Sequence, residues 1–193
     1  MSDGTVLRTL AGHTGQITSL AFSPDGTNLI SGSWDYTIKV WQVADGNLLR
    51  TLTNCGPGVR IALSPDGTTL ASAVSPHATS SDWTIRLWRV ADGTLQRSLI
   101  GHTNSVCDLA FSPDSATLVS GGIGQDIKFW RVADGSLLRS QTVSSEFVMS
   151  VAFSPNGTTV ATGAGINSDN SIKLWTVTDN RLLRTKTTKR VKP

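Results

Sequence analysis

One sequence unit occurs four times in this chain, and its spacing restricts the folds that the chain can adopt. Each copy contains a Ser-Pro-Asp or Ser-Pro-Asn turn, followed by a segment of the form apolar–Lys/Arg–apolar–Trp. These segments end at Trp41, Trp88, Trp130 and Trp175, so the spacings are 47, 42 and 45 residues. A period of about 40–45 residues with several strands per unit is typical of the blades of a β-propeller.

Within each unit, short apolar or alternating segments are separated by turn residues, as expected for antiparallel strands. In the first unit, Ile17–Phe22 predicts a buried first strand and Thr37–Trp41 an alternating third strand. Helical periodicity is absent, so the sequence predicts an all-β single repeat domain of four four-stranded blades. The predicted blades span residues 14–53, 56–100, 103–142 and 146–188, and residues 4–12 are predicted to form an extra closing strand.

Composition and charge argue against several classes of function. No apolar run approaches the ~18 residues that cross a membrane, and we expect no membrane contact for the repeats. The pI of 9.1 is a local effect of four cationic residues near the end: Lys186, Lys189, Arg190 and Lys192. The repeats are otherwise near neutral without a basic stripe, so we expect no nucleic-acid partner. Two cysteines are too few for a disulfide framework, and we expect buried, reduced thiols in a cytoplasmic protein.

The repeats resemble the WD-repeat β-propellers over essentially the whole chain. The first unit carries Gly12-His13, Ser31, Asp35 and Trp41 at the spacing of that family. The resemblance implies a hydrogen-bonded relay in each blade, in which donors from His, Ser or Thr and Trp surround a buried aspartate. The implied relay residues are His13, Ser31, Asp35 and Trp41; Ser72, Asp82 and Trp88; His102, Ser120 and Trp130; and Thr162, Asp169 and Trp175.

Three of the four units depart from the family pattern, so we expect the first blade to be the stiffest. The second unit has Gly56-Pro57-Gly58 in place of Gly-His, the third has Gly124 at the aspartate position, and the fourth has no histidine. The aspartate that usually follows the tryptophan is also absent. Its positions are occupied by Gln42, Arg89, Arg131 and Thr176.

Catalytic and metal-binding interpretations have weaker support. His13, Ser31 and Asp35 have the composition of a nucleophilic triad, but a triad needs an exposed nucleophile and Ser31 lies on a predicted inner strand. His77 has no second ligand at metal spacing, and residues 167–170 lack the spacing of a calcium loop. We therefore expect no enzyme activity, no metal and no cofactor.

Four blades are few for a WD-repeat ring, which usually closes with seven or eight. An open half ring would leave two apolar blade faces bare, whereas two chains joined head to tail would form an eight-bladed homodimer. Five fourth-strand segments serve four blades: Thr5–Leu10, Asn47–Leu52, Thr94–Leu99, Ser136–Gln141 and Arg181–Lys186. We favour closure by Thr5–Leu10 in a strand exchange, because Lys186 stands where Leu10 is apolar. Closure by the chain's own last strand is the alternative.

The predicted function is a non-catalytic scaffold for protein interaction, with an unknown protein or peptide partner. Trp34 and Trp83 lie in turns between second and third strands, where large indoles are common binding anchors. The other candidate binding-face residues are Gln16, Asn104 and Glu146, with Arg60 and Asp108 at matching first-strand positions that face the channel. The alternative is a designed or excised propeller fragment with no specific ligand. The style of the Ala-Asp-Gly and Ser-Pro-Asp-Gly turns resembles bacterial repeats.

Overall fold

The structure, a computed structural model, describes residues 4–74, 81–143, 147–165 and 171–178, together with the backbone of 182–187. Within these ranges, sixteen strands form four antiparallel sheets, and each sheet contains four strands in chain order. Each sheet therefore corresponds to one sequence unit, and we number these blades 1 to 4. The described residues contain no helix, so the all-β prediction is confirmed. Within that part of the chain, no helix is long and apolar enough to cross a membrane.

The blades have closely similar strand lengths. Blade 1 consists of β1 Ile17–Phe22, β2 Asn28–Ser33, β3 Ile38–Gln42 and β4 Leu48–Leu52. Blade 2 consists of β5 Arg60–Leu63, β6 Thr69–Ala73, β7 Ile85–Arg89 and β8 Leu95–Leu99. Blade 3 consists of β9 Val106–Phe111, β10 Thr117–Gly122, β11 Asp126–Arg131 and β12 Leu137–Thr142. Blade 4 consists of β13 Val148–Phe153, β14 Thr159–Ala164, β15 Ser171–Thr176 and β16 Leu182–Thr187.

The Ser-Pro-Asp turn connects the first and second strands of a blade through one carboxylate. In blade 1, the Asp25 carboxylate accepts hydrogen bonds from the Ser23 hydroxyl at 2.5 Å and the Thr27 amide at 3.1 Å. These bonds, with that of Ser23 the strongest, lower the pKa of Asp25. Gly26 takes a φ of 70°, a left-handed conformation that glycine adopts without steric cost.

Apolar side chains between successive blades form the core. The first strands pack in chain order, β1 against β5, β5 against β9 and β9 against β13. Three buried clusters result, one for each contact between neighbouring blades. The cluster between blades 1 and 2 contains Ile30, Ile38, Val40, Leu52, Cys55, Val59, Ile61, Leu70 and Trp88. Because every blade is apolar on both sides, each contact between neighbouring blades buries one apolar side of each of them.

The outer sides of blades 1 and 4 lack such a neighbour. Leu20 of β1 is 60% exposed, whereas the residues at its position in the next blades are almost buried: Ile61 at 9%, Leu109 at 6% and Val151 at 5%. Ile172 of β15 is 57% exposed, whereas Ile38, Ile85 and Ile127 are at most 1% exposed. The stack of four blades therefore has two bare apolar ends.

The first described residues contact blade 1 without forming a strand. Residues 4–16 are assigned to no strand, so the closing strand predicted at 4–12 is not formed among the residues that the structure describes. The Arg8 guanidinium nevertheless donates hydrogen bonds to the carbonyls of Ala44 and Asp45, at 2.6 and 2.8 Å. The segment is thus anchored to the turn between β3 and β4.

Candidate functional site

Blade 1 brings its four predicted relay residues into one chain of hydrogen bonds. His13 lies just before β1, and its Nδ1 is 2.7 Å from Oδ2 of Asp35. Its Nε2 is 2.7 Å from Oγ of Ser31, which also accepts the indole N–H of Trp41 at 2.8 Å. The relay therefore connects the start of the blade to its second and third strands and to the turn between them.

Asp35 is held ionised by a dense set of donors. Burial opposes its ionisation, but hydrogen bonds from Thr37, His13 and the amide of Thr14 outweigh that effect and lower its pKa. The closest donors are the Thr37 hydroxyl at 2.6 Å and Nδ1 of His13 at 2.7 Å, followed by the amides of Thr14 and Thr37, both at 3.0 Å. The carboxylate therefore ties the entry loop to the β2–β3 turn.

Blade 2 keeps the indole contact and replaces histidine with arginine. Trp88 donates its indole N–H to Oγ of Ser72 at 2.8 Å. Asp82 accepts from Arg86 at 2.6 Å and from the amide of Thr84 at 3.0 Å. Burial opposes ionisation of Asp82, but these bonds outweigh it and lower the pKa of the carboxyl. An arginine on the third strand thus stabilises the turn that a histidine stabilises in blade 1.

Blade 3 has its carboxylate displaced by two residues, which the family pattern of the sequence does not predict. His102 lies 2.7 Å from Ser120, and Trp130 donates to the same oxygen at 2.8 Å. With Gly124 at the usual position, the nearby carboxylate is Asp126, 3.9 Å from Nδ1 of His102. Asp126 instead pairs with Lys128 at 2.5 Å. An acidic residue two positions after the missing aspartate was the available signal.

Blade 4 retains the indole contact within the described residues. Trp175 donates to the hydroxyl of Thr162 at 3.0 Å. Asp169, the predicted carboxylate of this blade, lies outside the described residues, as do His77, Glu146 and the 167–170 segment. Only the tryptophan–hydroxyl pair therefore recurs in all four described blades.

The relay of blade 1 has the connectivity of a triad but not the accessibility of one. Ser31 is 3% exposed, and its oxygen is already occupied by the indole of Trp41 and by His13. A nucleophile must reach a substrate carbonyl, which this burial prevents. Among the described residues, no group of three His, Cys, Asp or Glu side chains could hold a metal ion.

The predicted binding face contains aromatic side chains at the ends of blades 1 and 2. Trp34 and Trp83 are half-buried, and the Trp34 amide donates to the carbonyl of the exposed Gln16 at 2.9 Å. This bond places the turn of Trp34 beside the loop that precedes β1. Asn104 is half-buried and accepts from the amide of Ser105 at 2.8 Å.

Tyr36 is a third aromatic residue at this end and was missed from sequence. It lies between Asp35 and Thr37, as Trp83 lies between Asp82 and Thr84, so the two rings occupy equivalent positions in neighbouring blades. Tyr36 is 58% exposed and has a φ of 67°, which is unusual for a residue with a side chain. Gln125 has a φ of 66° at the same turn position in blade 3, so the left-handed conformation belongs to this turn of the repeat.

Arg60 and Asp108 each connect neighbouring blades rather than each other. Asp108 accepts from the Ser150 hydroxyl and the Val151 amide of blade 4, both at 2.9 Å. Arg60 donates to the carbonyl of Thr18 in blade 1 at 3.2 Å. In the part of the chain that the structure describes, no ion pair joins the two side chains.

We predict that Asp35→Ala lowers the free energy of unfolding by ~2–4 kcal/mol, because buried donors lose their acceptor. Asp45→Ala, which removes an exposed turn carboxylate bonded to Asn47, should cost less than ~1 kcal/mol. Urea denaturation at pH 7 measures both. Equal costs for the two variants would contradict a stabilising relay.

Because the pKa of Asp35 is lowered, the stability that its carboxylate contributes is complete above the ordinary value of 3.8 and is lost as pH falls through the lowered value.

We predict a second pH dependence at His102. Burial lowers the pKa of His102 to about 4, with Lys128 adding to the effect and Asp126 opposing it. The unfolded chain therefore binds the proton first, and the free energy of unfolding should fall by up to about 2 kcal/mol from pH 7 to pH 5. In His102→Gln this part of the decrease should disappear. Identical pH slopes for the two proteins would exclude a neutral buried imidazole.

Curated proteins similar to this chain match one or two repeats. An uncharacterised WD repeat-containing protein of Synechocystis sp. is 46% identical over 67 residues, which is 34% of this chain and 19% of that protein. Eukaryotic translation initiation factor 3 subunit I of Vanderwaltozyma polyspora is 43% identical over 65 residues, again 34% of this chain and 19% of that protein. The chain thus matches less than a fifth of the length of these relatives.

Solved structures match nearly the whole chain. The RRP9 WD40 repeats superpose with a TM-score of 0.78 at 25% identity, covering 91% of this chain and 52% of that one. The structure of U3-55K also gives 0.78, at 23% identity, with 91% and 53% coverage. The four-blade stack therefore spans about half the length of these chains. The model of the WD domain, G-beta repeat matches residues 4–42, 46–89, 93–131 and 135–176. The chain belongs to the WD40 repeat family.

Proposed function

We propose that this chain is a non-catalytic scaffold that binds a protein or peptide partner at the ends of blades 1 and 2. WD40 repeats generally serve as interaction scaffolds, and one named relative is a subunit of a translation initiation factor. The observation that supports this site is the set of Trp34, Tyr36 and Trp83 in neighbouring β2–β3 and β6–β7 turns. Aromatic side chains on a rigid turn give contact area at a small entropic cost.

The absence of catalysis is part of this proposal and is supported by the relay geometry. The Ser31 hydroxyl is buried and bonded to two relay partners, so it cannot act as an exposed nucleophile. Burial also raises the pKa of the Cys55 and Cys107 thiols to about 11, which keeps both in the unreactive neutral form.

Two buried free thiols support a cytoplasmic location. The Synechocystis relative supports a bacterial origin.

We also propose that two copies of the chain form an eight-bladed ring. The two bare ends of the stack, marked by Leu20 on blade 1 and Ile172 on blade 4, expose the surfaces that other blades bury against each other. Blade 4 of one copy would cover blade 1 of the other, and a two-fold axis would repeat this contact. The alternative, a propeller fragment without a specific ligand, would leave both ends bare.

We predict that replacing the three aromatic residues with alanine reduces capture of cellular partners without unfolding the protein. In Trp34→Ala/Tyr36→Ala/Trp83→Ala, each bound protein should fall by about 10-fold or more, because anchor residues carry most of the binding energy. Leu95→Ala, at an exposed position on the outer strand β8 of blade 2, is the matched control. The measurement is a quantitative pull-down together with a thermal melt. A partner retained by the triple variant would contradict the proposed face.

We predict that light scattering during size exclusion gives about twice the 20.5 kDa chain mass, over a dilution series. A Leu20→Asp/Phe22→Asp variant, changed on the bare face of blade 1, should run as a monomer because it places charge in the interface. Leu49→Asp, on the outer strand of blade 1, should leave the dimer intact. A monomeric unaltered chain would contradict the two-chain ring.

A further inference from the structure

The Ser-Pro turn of each blade directs the same set of donors at one side-chain oxygen. In blade 2, Oδ1 of Asp66 accepts the Ser64 hydroxyl at 2.5 Å and both the amide and the hydroxyl of Thr68 at 2.9 Å. Asp25 of blade 1 has the same donors, its serine and the residue two positions after it. We call these donors the turn seat of a blade.

The turn seat favours a negatively charged acceptor. Asp114 occupies it in blade 3, where hydrogen bonds, with that of Ser112 the strongest, lower the pKa of the carboxyl. Burial opposes the ionisation of Asp66, but hydrogen bonds from Ser64 and Thr68 outweigh it and lower its pKa as well. Hydrogen bonds to an ionised acceptor are stronger than those to a neutral one. The turn seat is therefore matched to a carboxylate.

Blade 4 fills the same seat with a neutral amide. Oδ1 of Asn156 accepts the Ser154 hydroxyl at 2.7 Å, and it accepts the amide and the hydroxyl of Thr158 at 3.1 and 2.8 Å. The serine bond is longer than the 2.5 Å bonds to the three aspartates, as expected for an acceptor without charge. The donors of blade 4 are thus arranged for a charge that the amide lacks.

Asn156 also stands in the one Asn-Gly pair of the sequence. In such a pair the glycine nitrogen can attack Cγ of the asparagine, because no side chain shields that nitrogen. The N–Cγ bond forms, the amide nitrogen leaves as ammonia with the proton of the glycine N–H, and a cyclic succinimide results. Water then opens the ring to aspartate or to isoaspartate. One water is consumed and one ammonia is released, without oxidation or reduction.

The position of this pair in the fold decides when the reaction can occur. The Gly157 amide donates to the carbonyl of Ser154 at 2.9 Å, so the turn must open before the nitrogen can attack. Blade 4 is an end blade with a bare outer side, and such units of a repeat array open most readily. Asn156 is exposed, and so are the aspartates at its position in the other blades. A further blade beside blade 4 would therefore leave the site open to water.

We propose that Asn156 converts spontaneously to aspartate, and that the turn seat selects aspartate over isoaspartate. Isoaspartate lengthens the main chain within the turn, which the bond from the Thr159 amide to Oγ of Ser154 at 3.0 Å closes tightly. Aspartate leaves the main chain unchanged and supplies the charge that the donors of the seat favour. The conversion gives blade 4 the carboxylate that the other three turns carry from the start.

The first test follows the mass of the peptide containing residues 154–159 while the purified chain is stored in mildly alkaline buffer. Digestion in acid and mass spectrometry should show, at Asn156, the increase that replacement of NH2 by OH produces. Gly157→Ser is the matched control, because Ser115 takes a φ of 60° at the same turn position in blade 3. Its side chain shields the attacking nitrogen, so the conversion should slow several-fold. Equal rates in the two chains would overturn the succinimide route. An Asn156 that stays an amide, while a free peptide of residues 150–162 converts, would overturn the proposal.

The second test examines the selection of aspartate by the turn seat. Chromatography against synthetic standards separates the aspartate and isoaspartate peptides. The folded chain should give mainly aspartate, whereas the free peptide should give mainly isoaspartate, because water opens the ring preferentially at the main-chain carbonyl. Isoaspartate as the main product of the folded chain would overturn the selection while leaving the conversion intact.

The third test measures the fit of a carboxylate in this turn directly. Asn156→Asp should melt about 2–4 °C above the unaltered chain at pH 7, because its bonds in the seat become charge-assisted. The difference should be lost in acid, since a carboxyl with a lowered pKa contributes stability only while it is ionised. A variant that melts at or below the unaltered chain at pH 7 would overturn the match between the seat and a charge.

Discussion

Burial of one blade face against the next is the interaction on which the whole structure depends. No blade encloses a core of its own, because a single four-stranded sheet has apolar side chains on both surfaces. The clusters around Ile38, Leu99 and Phe129 each draw residues from two successive blades. Stability in such an array is a sum of blade and neighbour contributions, so an end blade is always the least satisfied. Leu20 and Ile172 are exposed because they lie on the outer sides of the two end blades.

The polar relays have a different role, because their hydrogen bonds hold the strands and turns of one blade together. In blade 1 the His13, Ser31 and Asp35 side chains bond to strand, turn and entry loop at once, and the indole of Trp41 completes the set. Blades 2 and 3 show that the same turn can be held by other chemistry, since Arg86 replaces the histidine and Asp126 has moved to pair with Lys128. Among the relay contacts of the described residues, only the one from tryptophan to hydroxyl recurs in all four blades.

Stiff blades and open ends together explain how such a chain could act. A fixed turn can hold an aromatic side chain such as Tyr36 outward in a left-handed conformation, because the bonds of Asp35 and Thr37 on either side hold the backbone. At the turn between β3 and β4, Arg8 packs closely against Gly46 and donates to the carbonyls of Ala44 and Asp45. The proposed binding at the turns and the proposed closure at the ends therefore involve different residues of the repeats.

The sequence by itself determined the blade. The spacing of Trp41, Trp88, Trp130 and Trp175, with one Ser-Pro turn in each unit, predicted four antiparallel sheets because these patterns act over a few residues along the chain. It did not reveal Asp126 as the carboxylate near His102, because that depends on which segments lie together in space. Tyr36 was missed for a different reason, since it stands two residues after Trp34 in the same turn and only its exposure marks it. Only the tertiary structure decided the position of residues 4–12. Arg8 donates a hydrogen bond to the carbonyl of Ala44, 36 residues away, and a local sequence pattern carries no information about such a long-range contact.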